Sequence, residues 1–241
     1  MAISADSLAT RYTTHIEKCI AQAHATESRC TPGILQIDGM SGEMTRHLYN
    51  NICDIVKLDG SPTSYLEVGA WKGSSTISAL YQNPCHATVI DNWSEFGAPM
   101  NEFQDNLLTF LGMPRTAKFS DTLAHPGQKV QLIDEDCFAL KSMPMFAPYD
   151  IYLYDGHHSQ ESQRKGVVDL WDILADTCIL IVDDWEWTEV KAGTYEGLAE
   201  VGAKVVASWD VEKPCYPSGR EGFWNGSGIF VLQKAMTTSI P

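Results

Sequence analysis

The stretch that decides the fold is Tyr65-Leu-Glu-Val-Gly-Ala-Trp-Lys-Gly73, in which a β-rich run leads into two glycines four residues apart. Ser74-Ser-Thr76 follows and begins a segment of helical spacing. Glycine can adopt φ > 0 and allows a backbone to approach a ligand closely. The stretch therefore predicts a strand, a tight turn and a helix, with the turn facing a ligand. A tight turn without a ligand is the alternative.

Strands and helices alternate along the chain beyond this turn. Apolar, β-rich runs predict strands at residues 64–68, 87–90, 129–133, 151–154, 178–182, 204–208 and 227–232. Helical spacing predicts helices at residues 74–81, 100–110, 160–174 and 188–201. The repeated unit predicts an α/β fold with a mostly parallel, seven-stranded sheet and helices on both faces. No helix separates the last two strands, so we expect an antiparallel hairpin at one edge, with residues 214–225 as its long loop.

Two further helices are predicted before the sheet begins. They span residues 6–25 and 41–56, with Thr31-Pro-Gly33 between them and Ser41 as the cap of the second. We therefore divide the chain into an N-terminal helical segment, residues 1–60, and a sheet domain, residues 61–241. The glycine-flanked motif Gly39-Met-Ser-Gly-Glu-Met-Thr-Arg46 predicts that the segment closes over the site as a lid. An ordinary solvated helix face is the alternative.

The composition indicates which binding partners and which cellular compartment to expect. The chain has 17 Lys and Arg against 31 Asp and Glu, a net charge of −14. Because a nucleic-acid binder normally presents a basic face, we expect neither nucleic acid nor an anionic membrane as a partner. No apolar run approaches the roughly 20 residues that span a bilayer, and the N-terminus lacks the apolar region of a secretory signal. The seven cysteines include no CxxC pair, which favours reduced thiols and a cytoplasmic protein.

Acidic residues gather where the predicted strands end. In such a sheet the ligand lies beyond the carboxyl ends of the strands. The two glycines have GxxxG spacing, whereas a pyrophosphate-binding loop would read GxGxxG, and an acid before the loop would repel a pyrophosphate. That acid would suit a sulfonium with an amino-acid tail. The strand-end acids are Glu67, Asp91, Asp136, Asp155, Asp183 and Asp184.

The stretch Leu66-Glu-Val-Gly-Ala-Trp-Lys-Gly-Ser-Ser75 resembles the first motif of class I S-adenosylmethionine-dependent methyltransferases. Within that class it is similar to the macrocin O-methyltransferase type and to the metal-dependent, catechol O-methyltransferase-like group. The similarity extends over residues 64–232. It implies a three-layer Rossmann-like methyltransferase fold and an S-adenosylmethionine-binding domain at residues 61–241. It also implies methylation of a hydroxyl group on a small-molecule acceptor.

The resemblance also implies which residues bind the cofactor. Asp91 lies about 20 residues beyond the loop, where a carboxylate accepts hydrogen bonds from ribose hydroxyls. Asp136 would face the adenine amino group and the backbone of Cys137 a ring nitrogen. Asp134 and Glu135 are rivals for the adenine. The full set implied to bind S-adenosylmethionine is Glu67, Gly69, Trp71, Gly73, Ser74, Asp91, Asn92, Trp93, Asp136, Cys137 and Asp155.

Three carboxylates after neighbouring strands predict a metal site. Asp155, Asp183 and Asp184 would converge in one cleft, where unpaired carboxylates repel one another unless they are protonated or bound to a cation. A hard divalent ion with oxygen ligands fits best, which predicts Mg²⁺. The resembled metal-dependent enzymes carry acids at the same places. The alternative is that Asp183 and Asp184 cap a helix and that Asp155 contacts only the sulfonium region.

The catalytic base is predicted from a departure from the family pattern. The macrocin type has Asp-Gly-Asp after the fourth strand, whereas this chain has Asp155-Gly-His157. Histidine accepts a proton near neutral pH, so we predict His157 as the base beside the catalytic Asp155. A capping or positioning role for His157 is the alternative. The departure leaves the acceptor open.

Other functions on the same fold stay open at this point. They are a metal-independent or N-methyltransferase, and a member that binds the cofactor without turnover. A hydride-transferring enzyme is disfavoured because the chain lacks GxGxxG. Whether the chain forms a homo-oligomer is also open.

Overall fold

An eight-stranded sheet forms the centre of the computed structural model, which describes residues 5–141, 143–212 and 222–235. The strands are β1 (Ser64–Val68), β2 (His86–Asp91), β3 (Phe119–Asp121), β4 (Lys129–Asp134), β5 (Tyr149–Tyr154), β6 (Leu174–Asp183), β7 (Lys204–Val211) and β8 (Ser227–Gln233). The helices are α1 (Ala5–His24), α2 (Pro32–Leu35), α3 (Glu43–Ile52), α4 (Ser74–Leu80), α5 (Met100–Leu111), α6 (Gln160–Val168) and α7 (Thr188–Glu200).

The strand order is β3-β4-β2-β1-β5-β6-β8-β7. Strands β4, β2, β1, β5 and β6 are parallel, while β8 runs antiparallel to both β6 and β7. The predicted parallel sheet with an antiparallel hairpin at its edge is therefore confirmed. Most of the predicted hairpin loop, residues 214–221, lies outside the described residues.

The predicted count of seven strands is wrong by one. The additional strand, β3, pairs antiparallel with β4 at the other edge of the sheet. It has only three residues, and both Phe119 and Asp121 are exposed. Because no buried face imposes an apolar alternation on it, the sequence carries no strand signal there.

Helices cover both faces of the sheet, as predicted for a three-layer fold. On one face, buried side chains from α1, α3, α4 and α5 pack in a single core with those of the strands, for example Ile16, Leu48, Ile77 and Phe103. On the other face, α6 and α7 pack on the sheet through residues such as Val167 and Leu198. The central strands β1 and β5 are buried along their whole length, as expected for parallel strands that are covered on both faces.

Three local features differ from the sequence prediction. Thr31-Pro-Gly33 separates the two predicted helices, and Pro32 also begins a short helix of its own, the one-turn helix α2. Ser41 does not cap α3, which begins after Gly42. The Ser41 hydroxyl accepts from Arg46 Nε at 3.1 Å and lies 3.1 Å from Ser74 Oγ. The predicted helix at residues 160–174 stops at Val168, since the chain must turn before β6 begins.

The N-terminal segment packs on the sheet domain. Tyr12 and Ile16 of α1 are buried in the same core as the strands, and α3 packs against α4. Arg46 is also buried, and its guanidinium donates to the carbonyl oxygens of Leu35 and Ile37, each at 2.8 Å. The lid role of residues 1–60 stays a prediction.

Two further features of the described residues relate to the sequence predictions, namely membrane-spanning helices and the state of the cysteines. Within the described ranges, no helix has both the length and the apolar character needed to cross a membrane. The six cysteines of the described ranges are all free thiols, and Cys215 lies outside them.

We expect Ile16→Ala to lower the free energy of unfolding of the whole protein by about 3 kcal/mol, because a buried side chain leaves a cavity. All seven tryptophans lie after residue 70, so tryptophan fluorescence during urea denaturation reports on the sheet domain alone. The fluorescence midpoint should fall with Ile16→Ala and stay unchanged with Glu17→Ala, an exposed neighbour on α1. An unchanged midpoint in Ile16→Ala would show that α1 is not part of the cooperative core.

Candidate functional site

A cavity of about 510 Å³ opens beyond the carboxyl ends of the central strands. Its wall contains residues at or just after the ends of β1, β2, β4, β5 and β6, where ligands of open α/β sheets bind. The residues that decide its chemistry are Gly69, Asp91, Asp136, Asp155, His157, His158, Asp183 and Asp184, with Trp71, Trp93, Trp187 and Trp224 among its aromatic residues.

Gly69 brings two strand ends into backbone contact. Its φ is +84°, and a Cβ at this position would lie 1.9 Å from the carbonyl oxygen of Asp155. The Asp155 amide donates to the Val68 carbonyl at 2.8 Å, which continues the β1–β5 pairing into the turn. Only glycine fits there, and the turn after β1 is therefore held directly against the residue that begins the acidic cluster.

Asp91 fixes the conformation of this turn. Its Oδ2 accepts from the amides of Ala70 and Trp71, at 2.7 and 2.9 Å, and its Oδ1 accepts from the Trp93 amide at 2.7 Å. The carboxylate lines the cavity and is partly exposed, so it retains acceptor capacity toward a ligand. The acid at the end of β2 thus both shapes the turn and faces the cavity.

Backbone strain concentrates around the cavity. Eight non-glycine residues of the described chain have positive φ, and five of these line the cavity. Such conformations cost of order 1–3 kcal/mol each and cluster at functional sites. The five are Trp71, Trp93, Phe96, Asp184 and Trp224.

The structure brings most of the predicted cofactor residues together. Gly69, Trp71, Asp91, Asn92, Trp93, Asp136, Cys137 and Asp155 line the cavity. Glu67, Gly73 and Ser74 do not. Gly73 packs against the Phe103 ring, and Ser74 is buried beneath Gly39. Of the two rivals for the adenine, Glu135 lines the cavity and Asp134 does not. The binding roles themselves stay predictions.

Glu67 is fully buried inside the domain. Its carboxyl group accepts from Ser75 Oγ at 2.6 Å and from the Tyr65 hydroxyl at 2.9 Å. Burial raises the pKa of Glu67 to about 7, although both hydrogen bonds lower it. Glu67 therefore ties the end of β1 to α4 instead of facing the cavity.

Asp155, His158 and Asp184 form the acidic cluster of the site. Their nearest ligand atoms all lie within 4.8 Å of one another. His158 Nε2 is 2.5 Å from Asp184 Oδ2 and 3.9 Å from Asp155 Oδ1. Burial, together with the charges of Asp183 and Asp184, raises the pKa of Asp155 well above its usual value. Burial lowers the pKa of His158, and the contact with Asp184, together with the charges of nearby carboxylates, raises it by a larger amount. The pKa of His158 is therefore above its usual value.

Asp183 is oriented differently from its two predicted partners. It lines the cavity, but its Oδ1 accepts from the Tyr49 hydroxyl at 3.0 Å and lies 3.4 Å from Ser227 Oγ. Burial and the charge of Asp184 raise the pKa of Asp183 to about 7. Among the described residues, the metal-compatible group contains Asp155 and Asp184 but has His158 in place of Asp183.

The two consecutive histidines have different environments. His157 is exposed at the cavity edge, and its Nδ1 accepts from the Ser159 amide at 3.2 Å, just before α6. His158 packs on Trp187, with a distance of 5.0 Å between ring centroids, and points into the cluster. The motif Asp155-Gly-His157 predicts His157 as the histidine beside the carboxylates. The turn after Asp155 instead brings the residue at i+3 to the carboxylates.

The fold and the cavity define a Rossmann-like α/β protein with a ligand site at the strand ends. Residues 66–185 match a family model described as a methyltransferase domain. No curated protein matches the chain. Together with the Rossmann-like fold, this match supports a class I S-adenosylmethionine-dependent methyltransferase.

Solved structures share this fold at low sequence identity. A protein from Pyrococcus horikoshii described as an RNA methyltransferase is 13% identical, with a TM-score of 0.53, over 92% of this chain and 98% of that chain. An O-methyltransferase from Bacillus cereus, solved in complex with SAH, is 11% identical with a TM-score of 0.53, over 92% and 91% of the two chains. A precorrin-6y C5,15-methyltransferase from Geobacter metallireducens is 15% identical with a TM-score of 0.50, over 78% and 87%.

We expect Gly69→Ala to weaken S-adenosylhomocysteine binding by about tenfold or more, because its Cβ would displace the Asp155 backbone and deform the turn. Gly97→Ala is the matched control, since Gly97 has φ +85° but nothing within 4 Å of an added Cβ. Isothermal titration calorimetry measures both affinities. Equal affinities in the two variants would contradict the role that we assign to the close contact between Gly69 and the Asp155 backbone.

Glu67→Gln should change the pH dependence of stability. The folded-state pKa of Glu67 is raised to about 7 from 4.5. The stability that Glu67 contributes is therefore fully present below pH 4.5 and is lost as the pH rises through 7. Relative to wild type, the free energy of unfolding of the variant should rise by about 1–3 kcal/mol between pH 5 and pH 8. Urea denaturation at both pH values measures this gain, with the exposed Glu17→Gln as control. A difference that does not vary with pH would rule out a buried, titrating Glu67.

Proposed function

We propose that the protein transfers the methyl group of S-adenosylmethionine to a hydroxyl group of a small molecule, with the help of a divalent cation. The observation that carries this proposal is a single cavity that joins the Gly69 turn to the cluster of Asp155, His158 and Asp184. A cofactor at the turn and an acceptor at the cluster would lie side by side. Most of the rate enhancement would come from this alignment of the two reactants.

The cofactor would lie along the strand ends from β1 to β4. S-adenosylmethionine supplies an electrophilic methyl group on a positively charged sulfur. Asp91 would accept hydrogen bonds from the ribose, and Asp136 with Cys137 would contact the adenine, as the family resemblance implies. The turn at Gly69 would face the amino-acid tail, and the nearby Asp155 carboxylate favours the positive charge of the sulfonium.

The cluster fits a divalent cation. Asp155 and Asp184 bring two carboxylates together in a partly buried place, which is costly unless a proton or a cation balances their charge. Mg²⁺ is the ion that the sequence predicts. A bound cation would lower the pKa of an acceptor hydroxyl. The acceptor oxygen would form a bond to the methyl carbon as the carbon–sulfur bond breaks, and the hydroxyl proton would pass to a base.

His157 stays the predicted base, with a condition set by its hydrogen bond. Its Nδ1 accepts from the Ser159 amide, so in neutral His157 the proton is on Nε2. His157 would have to release Ser159 to accept a proton at Nδ1. Its exposure at the cavity edge allows such a rotation and the onward transfer of the proton to solvent.

The charge of the cavity supports a neutral or cationic acceptor. The described lining contains seven carboxylates, and none of its residues is Lys or Arg. Phosphate groups of a nucleic acid would be repelled there, since nucleic-acid binding depends on basic contacts. An acceptor with hydroxyl groups and an aromatic or apolar face suits the tryptophans of the cavity.

Asp155→Asn should reduce methyl transfer by at least about 100-fold, because the cluster loses a charge next to the reacting atoms. The assay is release of S-adenosylhomocysteine across a panel of hydroxylated compounds, with and without a chelator followed by added Mg²⁺ or Mn²⁺. The control variant is Asp134→Asn, an exposed strand-end acid outside the cavity. An unchanged rate in Asp155→Asn would refute the role of the cluster. Cofactor binding without release from any compound would favour a non-catalytic member of the family.

A further inference from the structure

We propose that His158 Nε2 coordinates the divalent cation together with Asp155 and Asp184, and that the ion is a first-row transition metal such as Mn²⁺ rather than Mg²⁺. The proposal deepens the proposed function, on which it rests for the presence of a cation. It replaces the all-carboxylate set of Asp155, Asp183 and Asp184 that the sequence predicts.

The distances allow the three groups to share one ion. Ligand atoms about 2.1 Å from a common ion are at most about 4.2 Å apart. Nε2 of His158 lies 3.9 Å from Asp155 Oδ1 and 2.5 Å from Asp184 Oδ2, and all three ligand atoms lie within 4.8 Å of one another. Side-chain movements of about half an ångström would bring them around a cation, chiefly by widening the 2.5 Å contact to the roughly 3 Å that separates adjacent ligands.

The imidazole nitrogen is directed at the carboxylates. Nε2 of His158 is shielded from solvent and lies 2.5 Å from Asp184 Oδ2 and 3.9 Å from Asp155 Oδ1. The ring is held in this orientation because it packs on Trp187. A cation that replaces the direct contact between Nε2 and Oδ2 would be bound by the same three side chains.

Asp183 is held by partners outside the cluster, whereas Asp184 accepts from Asn225 Nδ2 through Oδ1 and keeps Oδ2 beside His158. Tyr49 donates to Asp183 Oδ1 at 3.0 Å, and Ser227 lies close to the same oxygen. If Asp183 moved into the cluster, the buried Tyr49 hydroxyl would keep Ser227 as its remaining hydrogen-bond partner. The preassembled ligand set therefore has two oxygens and one nitrogen. Imidazole suits Fe²⁺ and Zn²⁺ best, and Mn²⁺ accepts a mixed set of carboxylates and one imidazole more readily than Mg²⁺, which prefers oxygen ligands.

The competing explanation is an ion pair between His158 and Asp184 with no metal. It accounts for the 2.5 Å contact as a direct charge-assisted pair. It predicts that metal binding, if it occurs at all, does not involve the imidazole. A direct readout of nitrogen coordination separates the two explanations.

The test is electron spin echo envelope modulation on the metal-free full-length protein after addition of Mn²⁺ alone, without cofactor and in a buffer free of amines. We expect ¹⁴N modulation from one directly bound imidazole in wild type and in His157→Gln. The modulation should disappear in His158→Gln. The adjacent, exposed His157 is the matched control, and circular dichroism confirms that each variant is folded.

Calorimetry provides a second, independent readout. Wild type should bind Mn²⁺ at least about tenfold more tightly than Mg²⁺. His158→Gln should weaken Mn²⁺ binding by about 10–100-fold and change Mg²⁺ binding by less than about threefold. If wild type shows no ¹⁴N modulation, binds no Mn²⁺ or binds Mg²⁺ as tightly, the proposal is wrong. Modulation that persists in His158→Gln also overturns it.

The same samples distinguish this proposal from the proposed function. Nitrogen coordination is measured without S-adenosylmethionine and without turnover. Failure to methylate any acceptor would therefore count against the enzymatic function while leaving the His158 site intact. Methyl transfer that resists chelation, with no ¹⁴N modulation, would refute the metal site and leave the methyltransferase function standing.

Discussion

The contact between the backbones of Gly69 and Asp155 is the constraint on which the rest of the site depends. It exists because β1 and β5 are neighbouring parallel strands whose chains leave the sheet at the same level. A side chain at Gly69 would occupy the position of the Asp155 carbonyl oxygen. The contact places a turn that suits a cofactor within reach of the acids that follow β5 and β6.

The carboxylates around this contact have different tasks. Asp91 is occupied by backbone amides and shapes the turn, while Glu67 is sealed inside the domain by Tyr65 and Ser75. Asp155, Asp184 and His158 line the cavity as one cluster, in which Asp184 Oδ1 accepts from Asn225 and Oδ2 contacts His158. The surroundings of each carboxylate thus separate groups that stabilise the fold from groups that can act on a ligand.

The N-terminal segment orients one of the carboxylates of the site. Tyr49 of α3 donates to Asp183, which lies 134 positions further along the chain. Because Tyr49 is buried and α3 packs on α4, the orientation of Asp183 depends on the docking of the segment against the sheet domain. Residues 1–60 therefore influence the chemistry of the site without lining most of it.

Much of the fold could be predicted from the sequence, because buried parallel strands and amphipathic helices leave strong periodic signals. All seven strands with an apolar face were predictable, whereas β3 has no such face. The strand-end acids were predictable as a group, since parallel strands end at one edge. Which of them meet was not, because side-chain direction depends on contacts such as Tyr49 with Asp183. The entry of His158 into the cluster likewise depends on a turn conformation that residue spacing does not specify.

The most direct measurement of the central claim is calorimetric titration of the purified protein with S-adenosylmethionine and, separately, with NAD. A turn with GxxxG spacing beside Asp155 should bind S-adenosylmethionine and should leave NAD unbound, because acidic groups at the strand ends repel a pyrophosphate. Saturable binding of S-adenosylmethionine alone is the predicted result. Binding of NAD without binding of S-adenosylmethionine would contradict the account.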